Sequence, residues 1–199
     1  MRPKKISDQA ILEVVRECLS QQGTSVSTKD IADKLGISQA SLFKRFGTKV
    51  KLFQASILLP FNANRLLQRL ALEPTDQPVK EQLQSLMLEM QAFFNEVVPV
   101  FSALHASGMM CSMELSSEKS PPIQARKYLT AWLKQLQNQG RIRSTIDAES
   151  ISIALIGVVQ HRTFRTELLK DSTITRTEKE YISSVIDVLW QGLDPVKEA

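Results

Sequence analysis

Ser27-Thr28-Lys29-Asp30-Ile31-Ala32-Asp33-Lys34-Leu35-Gly36-Ile37-Ser38-Gln39-Ala40-Ser41-Leu42-Phe43-Lys44-Arg45-Phe46 is the stretch on which the fold turns. Ile31, Ala32 and Leu35 fall on one side of a short helix that Ser27 can cap. Gly36 can take the positive φ of a tight turn. Ser38 can cap a second helix, which returns Leu42, Phe43 and Phe46 to the same interior. Ala32 is small enough for the two helices to cross closely, and Ile37 and Leu42 plug the angle between them. An ordinary corner between helices meets part of this description. The small residue, the glycine and the apolar positions in one register fit a helix-turn-helix, whose second helix enters the major groove of DNA.

Charge supports that reading. Residues 1–55 hold ten Lys and Arg against five Asp and Glu, so the whole positive excess of the chain (+4) lies in its first quarter. A basic head on a near-neutral body suits a nucleic-acid partner, although a basic surface alone has other uses. The two cysteines, Cys18 and Cys111, form no C-x-x-C pair and no disulfide framework, which suits a reducing compartment. The charged start is not followed by an apolar signal segment, and the longest uncharged run, 97–113, is broken by Pro99, His105 and Gly108. A cytoplasmic protein with no membrane partner is expected.

Outward from the motif, apolar residues recur at steps of three and four almost everywhere, so the chain reads as all-α. A first helix carries Ile11, Val14, Val15, Cys18 and Leu19 and stops at Gly23. Thr48 caps a long helix to about Leu72, kinked at Pro60. A linker over 73–78 leads to helices near 79–97 and 100–107, a loop over 108–122, and helices near 123–139, 147–169 and 176–191. The expected division is a helix-turn-helix domain over 1–51 and a helical effector-binding and dimerisation domain over 52–199.

The motif, continued by Lys49 and Leu52-Phe53, resembles the N-terminal domain of the TetR (tetracycline-repressor) family over roughly residues 6–56. The shared features are a cap and threonine, Ile-Ala, Gly-hydrophobic-Ser, Leu-aromatic-x-x-Phe, and a capped helix with Lys in its first turn. Gly140-Arg141-Ile142-Arg143, followed by Asp147 and an apolar helix, is similar to the family's approach to its dimerisation helices. The resemblance implies a homodimeric repressor with a divergent C-terminal domain that takes a small effector. One position departs from the pattern: Phe43 stands where the family usually has a tyrosine that donates to a DNA phosphate, and Phe43 can only pack or touch a thymine methyl.

The residue chemistry of the motif assigns DNA-binding roles. Ser27, Thr28 and Lys29, at a helix start, offer hydroxyl, N–H and ammonium to phosphate. Ser38, Gln39 and Ser41 lie at the entering end of the second helix, where Gln39 can bridge an adenine edge and the serines tolerate several bases. Lys44 reaches guanine or phosphate, and Arg45 phosphate. Thr48 and Lys49 open the next helix and favour an anion. Lys4 and Lys5 suit a basic arm near the minor groove.

The C-terminal body has two expected tasks. The helix over 147–169 is apolar on nearly all faces, which requires burial on more than one side. Ile151, Leu155, Val158 and Val159, with Tyr181, Val185 and Leu189 of the last helix, suit a two-fold four-helix interface. Met90, Phe94, Phe101, His105, Met110, Tyr128 and Trp132 suit a pocket for a largely apolar effector, since methionine adapts its shape to varied ligands. Arg126 and Arg162 leave room for an anionic head group. The same methionines and aromatics also serve as plain core.

No metal site or cofactor is expected: His105 and Cys111 share no helix face. An all-α enzyme is the weaker reading, because no H-x-x-x-H pair, nucleophile elbow, phosphate loop or dinucleotide fingerprint occurs. An architectural or adaptor DNA-binding protein without an effector is the stronger alternative to a ligand-responsive repressor acting on a double-stranded operator.

Overall fold

The computed structural model describes residues 6–58, 63–109 and 121–193. Helices α1 (Asp8–Gln22), α2 (Thr28–Leu35), α3 (Gln39–Phe46), α4 (Lys49–Leu58), α5 (Ala63–Ala71), α6 (Val79–Ala106), α7 (Pro121–Asn138), α8 (Ala148–Thr163) and α9 (Glu178–Leu193) follow in that order, with no strand among the described residues. None of the described helices is long and apolar enough to cross a membrane. The helix starts are set by side chains that take orphan backbone N–H groups. Ser7 Oγ accepts from the Ala10 N–H at 3.2 Å, Ser27 Oγ from Asp30 at 3.0 Å and Ser38 Oγ from Ser41 at 3.2 Å. Asp147 accepts from the Ser150 N–H at 2.7 Å. Thr177 and Glu180 form a reciprocal capping box at α9, each side chain accepting from the other's backbone N–H.

The chain forms two compact units, Met1–Phe61 with Glu96–Ser120, and Asn62–Asn95 with Pro121–Ala199. This division differs from a cut after residue 51. Leu52, Phe53 and Ile57 of α4, and Val100 and Leu104 of α6, belong to the same buried cluster as Ile11, Leu12 and Val15 of α1, Ile31 of α2 and Leu42 of α3. A three-helix head leaves apolar surface that these further residues cover. Arg16 is buried in this unit and donates to the Ser56 carbonyl at 3.1 Å, tying α1 to α4.

In the second unit α7 packs against α5 and α8. Leu83, Met87, Met90 and Phe94 of α6, Leu129, Trp132 and Leu136 of α7, Leu155 and Val159 of α8, and Ile182 and Ile186 of α9 are buried. A polar cluster sits among them. The Gln91 amide donates to the Thr163 hydroxyl at 2.7 Å and to Asn95 at 2.8 Å, and Asn95 donates to Glu178 at 2.6 Å. The segment over 73–78 is pinned rather than loose, because Arg141 donates to the carbonyls of Thr75 (2.5 Å) and Gln77 (2.6 Å).

Two helix boundaries differ from those expected. The two helices near 79–97 and 100–107 are one, α6, which runs through Pro99. Proline removes one backbone donor from the ladder, and burial of Phe93, Phe94, Val100 and Leu104 on both sides outweighs that loss. The helix expected over 48–72 is described over Lys49–Leu58 and Ala63–Ala71, and the expected kink at Pro60 falls on residues 59–62, outside the described residues. The helix expected to reach 169 is α-helical only to Thr163 and continues as a π turn over Phe164–Leu168.

Candidate nucleic-acid interface

Gly36 takes the left-handed conformation (φ 66°, ψ 30°) that the turn requires. Its N–H donates to Asp33 O and the Ile37 N–H to Ala32 O, both at 3.1 Å, which closes α2 with a Schellman pair. Ala32 and Leu42 are buried where the two helices meet, so α3 is fixed by its inner face and presents the other outward. Ser38, Gln39, Ser41, Lys44 and Arg45 are exposed on it, and Phe43 is 36% exposed. Their side chains are not equally available. The Ser38 and Ser41 hydroxyls bond each other at 2.8 Å. The Gln39 amide donates to the Thr28 hydroxyl at 2.6 Å, so Thr28, itself buried, braces the first residue of α3. Arg45 donates to the Ile6 carbonyl at 2.7 Å and pairs with Asp8 at 3.1 Å, so its guanidinium ties α3 to the entry of α1.

Behind α3, Thr48 Oγ1 accepts from the Lys51 N–H at 3.1 Å, in keeping with its expected cap. The Lys49 ammonium donates to the Thr24 carbonyl at 3.1 Å and lies 5.3 Å from the centroid of the Phe53 ring. Lys29 and Lys44 are exposed and take part in no ion pair among the described residues. The head therefore brings Ser27, Lys29, Ser38, Gln39, Ser41, Phe43 and Lys44 to its surface, while Thr28 is buried and the side chains of Arg45, at the surface, and half-buried Lys49 are engaged by contacts within the head. Lys4 and Lys5 lie outside the described residues.

The residues expected to line an effector pocket divide between the units. Met90, Phe94 and Trp132 are buried in the second, and Tyr128 is part-exposed there. Trp132 borders a cavity of about 130 Å³ with Arg69, Leu86 and Gln82. Phe101 and His105 belong to the first unit, with their rings 5.9 Å apart, and Met110 and Cys111 lie outside the described residues.

The residues expected at a dimer interface also divide. Leu155 and Val159 are fully buried within the protomer (0% exposed), which removes them from any surface. A helix apolar all round leaves its inward face undetermined by sequence, and here α8 packs on α7 with Leu155 buried. Ile151, Val158, Tyr181, Val185 and Leu189 are half-buried. The outward apolar positions are Ile153 (51% exposed) and Val188 (69%), beside the exposed Ala154 and Gly157.

Residues 11–56 match the family model of bacterial regulatory proteins of the tetR family. No curated protein matches the chain. Solved structures match it along nearly its whole length. A TetR transcriptional regulator from Streptomyces coelicolor is 19% identical with a TM-score of 0.66, over 96% of this chain and 99% of that one. A TetR family transcriptional regulator from Thermus thermophilus is 21% identical with a TM-score of 0.62, over 92% and 98%. A protein of Saccharomonospora viridis, solved in complex with choline, is 16% identical with a TM-score of 0.71, over 94% and 97%. The head matches the tetR-family model, and the chain as a whole carries the fold of solved TetR-family transcriptional regulators.

Proposed function

We propose that this chain is a homodimeric transcriptional repressor that reads a double-stranded operator with α3 and is released by a small effector. The observation that carries the reading is the exposed face of α3, with Ser38, Gln39, Ser41 and Lys44 outward and the helix locked from behind by Leu42. Gln39 is the base reader and Lys29 and Lys44 hold phosphate, with Ser27, Thr28, Phe43, Arg45, Thr48 and Lys49 flanking them. The outward strip of Ile153, Ala154, Gly157, Val158, Val185, Val188 and Leu189 is the self-association face. The choline held by the Saccharomonospora viridis protein supports a small effector in this fold, and Met90, Phe94 and Trp132 are the lining proposed for it.

Selection of duplexes from a random pool tests the reading. The expected product is one sequence with two-fold symmetry whose half-sites lie about 34–36 Å apart or a multiple of that. Gln39→Ala should relax the preference at one base pair of each half-site, at a cost of ~1–3 kcal/mol. Enrichment of no sequence, or an unchanged preference in Gln39→Ala, refutes it.

A further inference from the structure

At the corner where α8 ends and α9 begins, a cavity of about 220 Å³ is lined by His161, Arg162, Arg165, Thr173, Arg176 and Tyr181, among others. That volume is the share of about seven water molecules at ~30 Å³ each, enough for a small metabolite. Arg162 is only 7% exposed. Its guanidinium donates to the Arg176 carbonyl at 2.6 Å and stands 4.9 Å from the centroid of the Tyr181 ring. It pairs with no carboxylate among the described residues. A buried cation without a counter-ion is costly, and a carbonyl with a ring face offsets that cost only in part.

The acids nearby are already committed. Asp171 pairs with Arg165 and accepts from the Thr173 N–H at 2.9 Å and its hydroxyl at 2.6 Å. Glu180, the acid that faces Arg176, accepts from the Thr177 N–H at 2.8 Å and its hydroxyl at 2.9 Å. Three arginines thus line one cavity whose lining includes no carboxylate. The backbone carrying Arg165 is the π turn over Phe164–Leu168, a rare conformation that recurs at functional sites.

We propose that this cavity binds a small anion, a carboxylate or a phosphate, through the guanidinium groups of Arg162 and Arg176, with the Thr175 hydroxyl beside them and Ile174 against any apolar body. Arginine matches both anions with a planar fork. The proposal rests on the second unit alone and not on DNA binding, so failure of either reading leaves the other standing.

Thermal unfolding of the intact protein at fixed ionic strength tests it, with succinate and inorganic phosphate as probes and chloride as the control salt. We expect a saturable rise in Tm with at least one probe. The apparent affinity should fall about tenfold or more in Arg162→Lys and in Arg176→Ala, the loss of one charge-assisted contact. It should be unchanged in Lys179→Ala, an exposed lysine of α9 outside the cavity. Should Arg162→Lys fail to fold, the exposed Arg176→Ala decides. A response to succinate alone assigns a carboxylate, and one to phosphate alone a phosphate. A wild-type response no larger than that to chloride, or equal responses in wild type and Arg176→Ala, overturns the proposal.

Discussion

Gln39, the first residue of α3, holds its amide on the Thr28 hydroxyl at 2.6 Å. A neutral hydrogen bond of this kind contributes about 1 kcal/mol net. A bidentate contact to an adenine edge contributes ~1–3 kcal/mol, so the tether sets a resting rotamer without blocking base contact. The same comparison applies to Lys49 on its carbonyl and ring face, where cation–π attraction at an accessible site is about 0.5–1 kcal/mol. Asp171 gives a residue-scale prediction about acid. Its carboxyl is held down from 3.8 to about 2, first by the Thr173 hydroxyl and N–H and then by Arg165. A lowered folded-state value means that the ionised form stabilises the fold above pH ~4, and that this contribution disappears as pH falls towards 2. Asp171→Asn should therefore unfold at lower temperature than wild type at pH 7, and the gap in Tm should close between pH 4 and 2. A gap that stays constant with pH would show that the charge of Asp171 contributes nothing. Neither the clustering of arginines around the cavity nor the Arg162–Tyr181 contact was legible from residue spacing. Both depend on how the loop after the π turn folds back, which no local pattern encodes.

At the scale of the element, the head was the legible part. Its helix ends are encoded by serine and threonine caps and by Gly36, all acting within four residues, so Ser27, Gly36, Ser38 and Thr48 could be placed from sequence. Helix α6 was not, because a proline argues locally for a break while the apolar residues on both sides of Pro99 argue for continuity through packing. Helix α8 shows the opposite difficulty: apolar on every side, it announces burial without saying which face meets its own chain. Leu155 turns inward, and Ile153 and Val188 turn outward. Leu155→Ala should accordingly cost ~2–5 kcal/mol of stability as a core truncation. Ile153→Glu and Val188→Asp should change the stability of the single chain by no more than about 0.5 kcal/mol, as surface substitutions, yet abolish self-association by burying an unpaired charge between copies. Sedimentation equilibrium alongside chemical unfolding reads both effects. A wild-type monomer at micromolar concentration, or variants that associate as wild type does, would refute the self-association face.

For the whole molecule, the two units differ in how much of their chemistry the chain advertises. The first-quarter charge excess, the caps and the apolar register converge on one function for the head, whereas the second unit is a helical bundle whose buried methionines and aromatics suit a core and a pocket equally well. The central claim, that the head grips duplex DNA through α3 and the lysines around it, is tested most directly by the salt dependence of binding. The measurement is fluorescence anisotropy of the intact protein on its selected duplex, titrated across a range of potassium chloride, for wild type and for Lys29→Ala with Lys44→Ala. The account predicts a linear fall of log K with log salt in wild type, with the slope reduced by ~1 for each lysine removed per head. Binding that is insensitive to salt, or a double variant with the wild-type slope and affinity, would contradict it.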